Sequence, residues 1–121
     1  LPAAGIAGIG VLAGLSEPAA RALATAARLA SDLGAGLWVF MPETGAEKML
    51  RLEEKVSATL ERLQPPARLV ALGGNDAQRL VHAANAAGIG LLITEAEHAV
   101  LQLGGLERIQ EALDRPVLLV R

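Results

Sequence analysis

Cysteine and tyrosine are absent from the 121-residue chain, and one Phe and one Trp bring aromatics to only 2%. Without thiols there can be no disulfide, no zinc–thiolate site and no cysteine nucleophile. The same absence fits a reducing compartment, and a cytoplasmic location is expected. No sign of charge dominates: 11 basic against 13 acidic residues leave a formal net charge of −2 and a pI near 5.7. Such a chain lacks the basic field that a nucleic-acid partner requires. The uncharged opening, Leu1 to Ser16, has no basic flank and is too short to cross a bilayer, so it reads as a strand. Direct membrane insertion by this domain is not expected. Repeats and low-complexity linkers are also missing, and residues 1–121 read as a single domain. The first residue is Leu rather than Met, and the expectation is a domain cut from a longer protein.

What is present is small and apolar. Hydrophobic residues make up 52% of the chain, chiefly Ala, Leu and Val, with a mean hydropathy of +0.39. Short continuous apolar strands between small-residue helices suit a parallel sheet covered on both faces. Ile6 to Gly14 is the first such run, closed by Ser16-Glu17-Pro18, where Ser16 suits an N-cap and Pro18 a first turn. The helix that follows should run to about Gly34, with Arg21, Thr25, Arg28 and Asp32 wet and Leu23, Ala27, Ala30 and Leu33 buried. Leu37 to Met41 reads as the second strand. A helix from Ala46 to Gln64 follows, with Met49, Leu52, Val56, Leu60 and Leu63 as its apolar stripe before Pro65-Pro66. Arg68 to Leu72 is a third strand ending at Gly73-Gly74. Asn75 or Asp76 then caps a third helix that buries Leu80, Val81, Ala84 and Ala87 and stops at Gly88. Ile89 to Thr94 is the fourth strand. Leu106, Ile109 and Leu113 mark a fourth helix, and Val117 to Val120 the fifth strand.

Five strands joined by helices predict an α/β fold: a doubly wound five-stranded parallel sheet with about four helices, Rossmann-like in layout. Ligands of such sheets sit beyond the carboxyl ends of the strands, where strand order reverses. The candidate crevice is therefore Gly14-Leu15-Ser16, Pro42-Glu43, Gly73-Gly74 and Thr94-Glu95.

Several blocks, in this order and spacing, resemble the universal stress protein family. They are the first strand with Ser16-Glu17-Pro18 and the Ala-rich helix, then Gly74-Asn75-Asp76-Ala77, then Ala87-Gly88-Ile89-Gly90-Leu91-Leu92-Ile93. The last is Glu107-Arg108-Ile109 leading through Arg115-Pro116 into Val117-Leu118-Leu119-Val120. The resemblance spans nearly the whole chain. It implies strand order 3-2-1-4-5, a homodimer or protein partner joined along Val117, Leu118, Leu119 and Val120, and in one branch ATP binding. Nucleotide, if it were retained, would fall to Gly14, Leu15, Ser16, Met41, Gly73, Thr94, Glu95, Gly104 and Gly105. The ATP-binding branch carries an Asp where this chain has Gly14. It also carries a glycine-rich G-x2-G-x9-G segment, followed by Ser or Thr, where this chain has Glu95-Ala96-Glu97-His98. Only Gly104-Gly105 could stand for the last glycine, and no hydroxyl follows it. Phosphate cradles need closely approached backbone N–H groups, and two added carboxylates oppose a polyanion.

Sharper alternatives have weaker support. Gly8-Ile9-Gly10-Val11-Leu12-Ala13 fits a loose dinucleotide pattern, but the helix cap comes about six residues late, so small residues inside a buried strand are expected. Glu95, Glu97 and His98 lack a metal-ligand spacing and read as a solvated loop, with His82 and His98 both at the surface. Ser16 lacks the glycines of a nucleophile elbow and is already committed to capping. The expectation is a non-enzymatic, universal-stress-protein-like regulatory domain with no cofactor and no typical ATP binding. The family's habit of being appended to such proteins implies the cytoplasmic part of a transporter or sensor. The alternative is an adenine-nucleotide-binding stress-response signalling protein.

Overall fold

The computed structural model describes residues 8–63 and 66–121. Ile6 and Ala7 of the first apolar run, and Gln64 and Pro65 after the second helix, lie outside them. The elements alternate: β1 (Gly8–Leu12), α1 (Glu17–Leu33), β2 (Gly36–Met41), α2 (Ala46–Leu63), β3 (Ala67–Ala71), α3 (Ala77–Ala87), β4 (Leu91–Glu95), a 3-10 turn (Ala99–Leu101), α4 (Gly105–Leu113) and β5 (Val117–Val120). All strand pairs are parallel, in the order β3-β2-β1-β4-β5. The expected architecture is therefore the observed one.

Local chemistry sets the boundaries. Ser16 caps α1, its Oγ accepting the Ala19 N–H at 3.1 Å, and Gly34 ends the helix at φ 65°. Asp76 does the same for α3 through the Gln78 N–H at 3.0 Å, and Gly88 stops it at φ 69°. Period-two alternation then divides the core. Ile9, Val11, Leu37, Val39 and Ile93 face α1 and α2, while Leu12, Phe40 and Leu92 face α3 and α4. The α1 stripe is nearly all alanine, which lets that helix sit close on the sheet. Gly8 and Gly10 lie inside β1. A Cβ at Gly8 would stand 2.6 Å from the Trp38 ring, and one at Gly10 would stand 2.7 Å from Phe40 and Ile89. Both glycines admit large neighbours rather than open a dinucleotide loop.

Some details depart from expectation. Leu33 has the right helical phase but is 51% exposed, because it lies in the last turn beside Gly34, where little packs over it. The fourth strand starts two residues later than expected and runs one further, through Glu95. The stretch after it contains the 3-10 turn, which no periodicity announces because three residues are too few to show one.

Candidate functional site

Strand order reverses between β1 and β4, so the crevice of a doubly wound sheet should open past Leu12 and Glu95. At that point Ser16, Glu95 and His98 come together around Gly14. Glu95, the last residue of β4, follows the alternation of Leu91 and Ile93 toward the α1 face. Its Oε2 accepts the Ser16 hydroxyl at 2.7 Å, across 79 residues of sequence. Ser16 Oγ therefore serves twice, accepting from Ala19 and donating to Glu95. His98 comes over the same corner. The Val100 N–H donates to His98 Nδ1 at 3.2 Å, which places the ring proton on Nε2, and Nε2 donates to the Ala13 carbonyl at 2.9 Å. On the opposite side, Lys55 of α2 reaches the Leu15 carbonyl with Nζ at 2.8 Å.

Gly14 sits at the centre of these contacts. A Cβ there would stand 3.0 Å from the Ala19 Cβ and 3.5 Å from both Glu95 Oε1 and His98 Cδ2. A side chain at residue 14 would thus press on Ala19 and lie in contact with Glu95 and His98. Beside Gly14, between α1 and α2 toward Leu23 and Val56, lies a cavity of about 10 Å³. That is close to the minimum for one water, whereas small-molecule sites measure about 300–1,000 Å³.

These findings correct the expected solvated loop. Glu97 is exposed, but Glu95 is 8% and His98 only 5% exposed. His82, as expected, lies at the surface of α3. Sequence reasoning had no means of bringing His98 inward, since its partners are backbone groups of Ala13 and Val100. The other expected positions scatter. Thr94 is fully buried, its Oγ1 directed to the Glu95 carbonyl at 3.2 Å. Met41 packs into the α1–α2 core. Gly73, at φ 79°, lies against the Arg79 guanidinium, with Nη1 3.1 Å from where its Cβ would be. Gly104 is left-handed at φ 85° and opens α4, and a Cβ at Gly105 would collide with the Val100 carbonyl oxygen, beside Ala77 of α3. Gly105 therefore serves close packing on the α3–α4 face. Val117, Leu118, Leu119 and Val120 form the outer strand, with Leu118 43% and Leu119 40% exposed.

Ser16, Glu95 and His98 are residue types of hydrolytic sites, but they are wired otherwise. Both imidazole nitrogens are engaged with backbone, and the serine proton is directed at the carboxylate rather than the ring. Among the described residues no three His, Asp or Glu side chains gather as metal ligands, and no buried side-chain polar atom lacks a partner. No helix among them is long and apolar enough to cross a membrane. The larger depressions lie elsewhere: an open groove of about 660 Å³ between α3 and α4, and another of about 460 Å³ along the far side of α3.

The fold and its corner together define a class: a five-stranded doubly wound domain in which Ser16 and Glu95 are hydrogen-bonded to each other at the strand-order switch point. Neither a family model nor a curated protein sequence matches the chain. Solved structures do match, several of them universal stress proteins. A universal stress protein in complex with cAMP superposes with a TM-score of 0.75 at 17% identity, covering 98% of each chain. A protein of the universal stress protein family from Burkholderia pseudomallei gives 0.67 at 23% identity, again over 98% of each. The universal stress protein from Archaeoglobus fulgidus in complex with dAMP gives 0.70 at 14% identity, over 93% of this chain and 96% of that one. The fold of this chain is that of the universal stress proteins.

Proposed function

We propose that this chain is a universal-stress-protein-like regulatory domain that acts by docking a second copy or a protein partner along β5, not by catalysis. The observation that carries the proposal is the outer strand. Among the described residues β5 pairs on one side only, with β4, and its two central leucines are each at least 40% exposed on opposite faces of the sheet. An unpaired strand edge offers a row of backbone donors and acceptors with apolar side chains above and below, which suits strand addition. The Ser16–Glu95 bond at the switch point supports the absence of typical nucleotide binding, and the proposed setting is the cytoplasmic regulatory part of a transporter or sensor.

Sedimentation velocity on the purified domain and on Leu118→Lys tests it. Self-association that the lysine abolishes, with the folding transition unchanged, supports docking along β5. A monomer at all concentrations that also captures no partner through this edge removes the proposal. A second reading, an adenine-nucleotide-binding signalling protein, is favoured by the neighbours solved with cAMP and dAMP. Titration with ATP, with and without magnesium, separates the two, since only the second expects saturation.

A further inference from the structure

We infer that Leu103 and the groove between α3 and α4 form a self-complementary surface for a second copy of this chain, each copy seating its Leu103 in the other's groove. Leu103 and Gly104 are the central residues of a tight turn, closed by the Gly105 N–H on the Gln102 carbonyl at 3.0 Å. Both have positive φ, 52° and 85°. Such a turn favours Asn or Gly at its first central position, and a bulky side chain there opposes its own backbone. Nor does Leu103 gain burial. It is 106% exposed, against 2% for Val100 and 7% for Leu101 just before it. The turn is held in place by Gly105, packed where even a Cβ would collide with the Val100 carbonyl oxygen. Neither backbone preference nor folding accounts for a leucine at this point, whereas an anchor for a partner does.

The same surface carries the receptor. Gly104 lines the groove of about 660 Å³, so Leu103 stands at its lip, outside it. Val81 and Ala112 give the groove apolar lining, while Glu107, Arg108 and Glu111 give it both signs of charge. A two-fold arrangement uses each feature twice and closes on itself as a pair. Turned about an axis near Gly104, α4 of one copy runs antiparallel to α4 of the other. Arg108 of each then meets Glu107 and Glu111 of its mate. A surface that bears its own knob, its own groove and both charges fits itself, which makes a second copy the occupant. The contact is separate from the β5 edge.

The test is run in the Leu118→Lys background, which removes the β5 contact, so no outcome bears on docking along that strand. One anchor in one groove makes a contact of the weak class, read by backbone amide shifts between about 0.05 and 1 mM protein rather than by sedimentation. Shifts that grow with concentration are expected at Leu103, Gly104, His82 and Arg108. Leu103→Gly should weaken the association at least about tenfold, the effect of withdrawing one buried leucine, while its urea midpoint holds or rises. Arg108→Glu alone should stay monomeric, and mixing it with Glu107→Arg/Glu111→Arg should restore the shifts. Shifts independent of concentration, or equally dependent on it in Leu103→Gly, would overturn the inference. A lower urea midpoint in Leu103→Gly would overturn it too, since Leu103 would then serve the fold itself.

Discussion

His98 donates from Nε2 to the carbonyl of Ala13 across 2.9 Å, tying the segment after β4 to the end of β1, 85 residues earlier. The same ring caps the 3-10 turn by accepting the Val100 N–H. A buried imidazole with both nitrogens bonded to backbone is a structural joint between two chain segments. Replacing it leaves a carbonyl and an amide without their partner in a closed space. His98→Ala should therefore cost about 2–3 kcal/mol, read from the urea midpoint, while His82→Ala on the exposed side of α3 should stay within about 0.5 kcal/mol. Equal effects at the two histidines would contradict the joint.

Two helix caps make a second comparison. Among the described residues the Asp76 side chain bonds only to the Gln78 N–H, and Asp76→Ala should cost about 1 kcal/mol. Ser16 bonds to Ala19 and also supplies a donor to the buried Glu95 carboxylate. Ser16→Ala removes both, and the total should reach about 2–3 kcal/mol, because a buried acceptor left without its donor keeps its desolvation cost. If the two alanine variants unfold alike, the Glu95 contact contributes nothing to stability.

Gly14 tests whether the corner is full. Gly14→Asp brings a Cβ 3.0 Å from Ala19 and a second carboxylate beside Glu95 Oε1, and should cost at least about 2 kcal/mol. Combining it with Glu95→Ala should recover part of that loss. A double-mutant cycle is expected to return a coupling above about 1 kcal/mol, and additive effects would mean that the two side chains do not compete for one space.

The glycines of the two helix ends should respond differently. Gly34 is left-handed at φ 65° with no atom within 4 Å of a built Cβ, so Gly34→Ala should cost about 1 kcal/mol through backbone conformation alone. At Gly105 the added methyl would meet the Val100 carbonyl oxygen, a backbone atom of the neighbouring turn. Gly105→Ala should cost about 3 kcal/mol or more in thermal or urea unfolding, because relief requires moving the 3-10 turn against α4.

Much of the frame was legible because the signals are local. Ser16, Gly34, Asp76 and Gly88 mark helix ends through groups within a few residues of themselves, and apolar runs such as Leu37 to Met41 report a strand buried on both faces. Leu33 escaped because phase says which face a residue is on, not whether anything covers it at the last turn. The candidate site was legible only in part. Gly14, Ser16 and Glu95 were named for the crevice, and the structure does bring them together, with Ser16 and Glu95 bonded to each other. His98 was placed at the surface because nothing adjacent in sequence marks a histidine whose partners are main-chain atoms.

By itself the sequence determined the element types, their order, and the absence of any thiol chemistry, since these follow from composition, periodicity and capping along a stretch of chain. The tertiary structure alone decided that β4 ends on a carboxylate aimed at a serine 79 residues away. That outcome depends on parallel pairing setting β1 beside β4 in one register and on pleat alternation turning Glu95 toward α1. It is a property of strand placement in space, which no local pattern in the chain encodes.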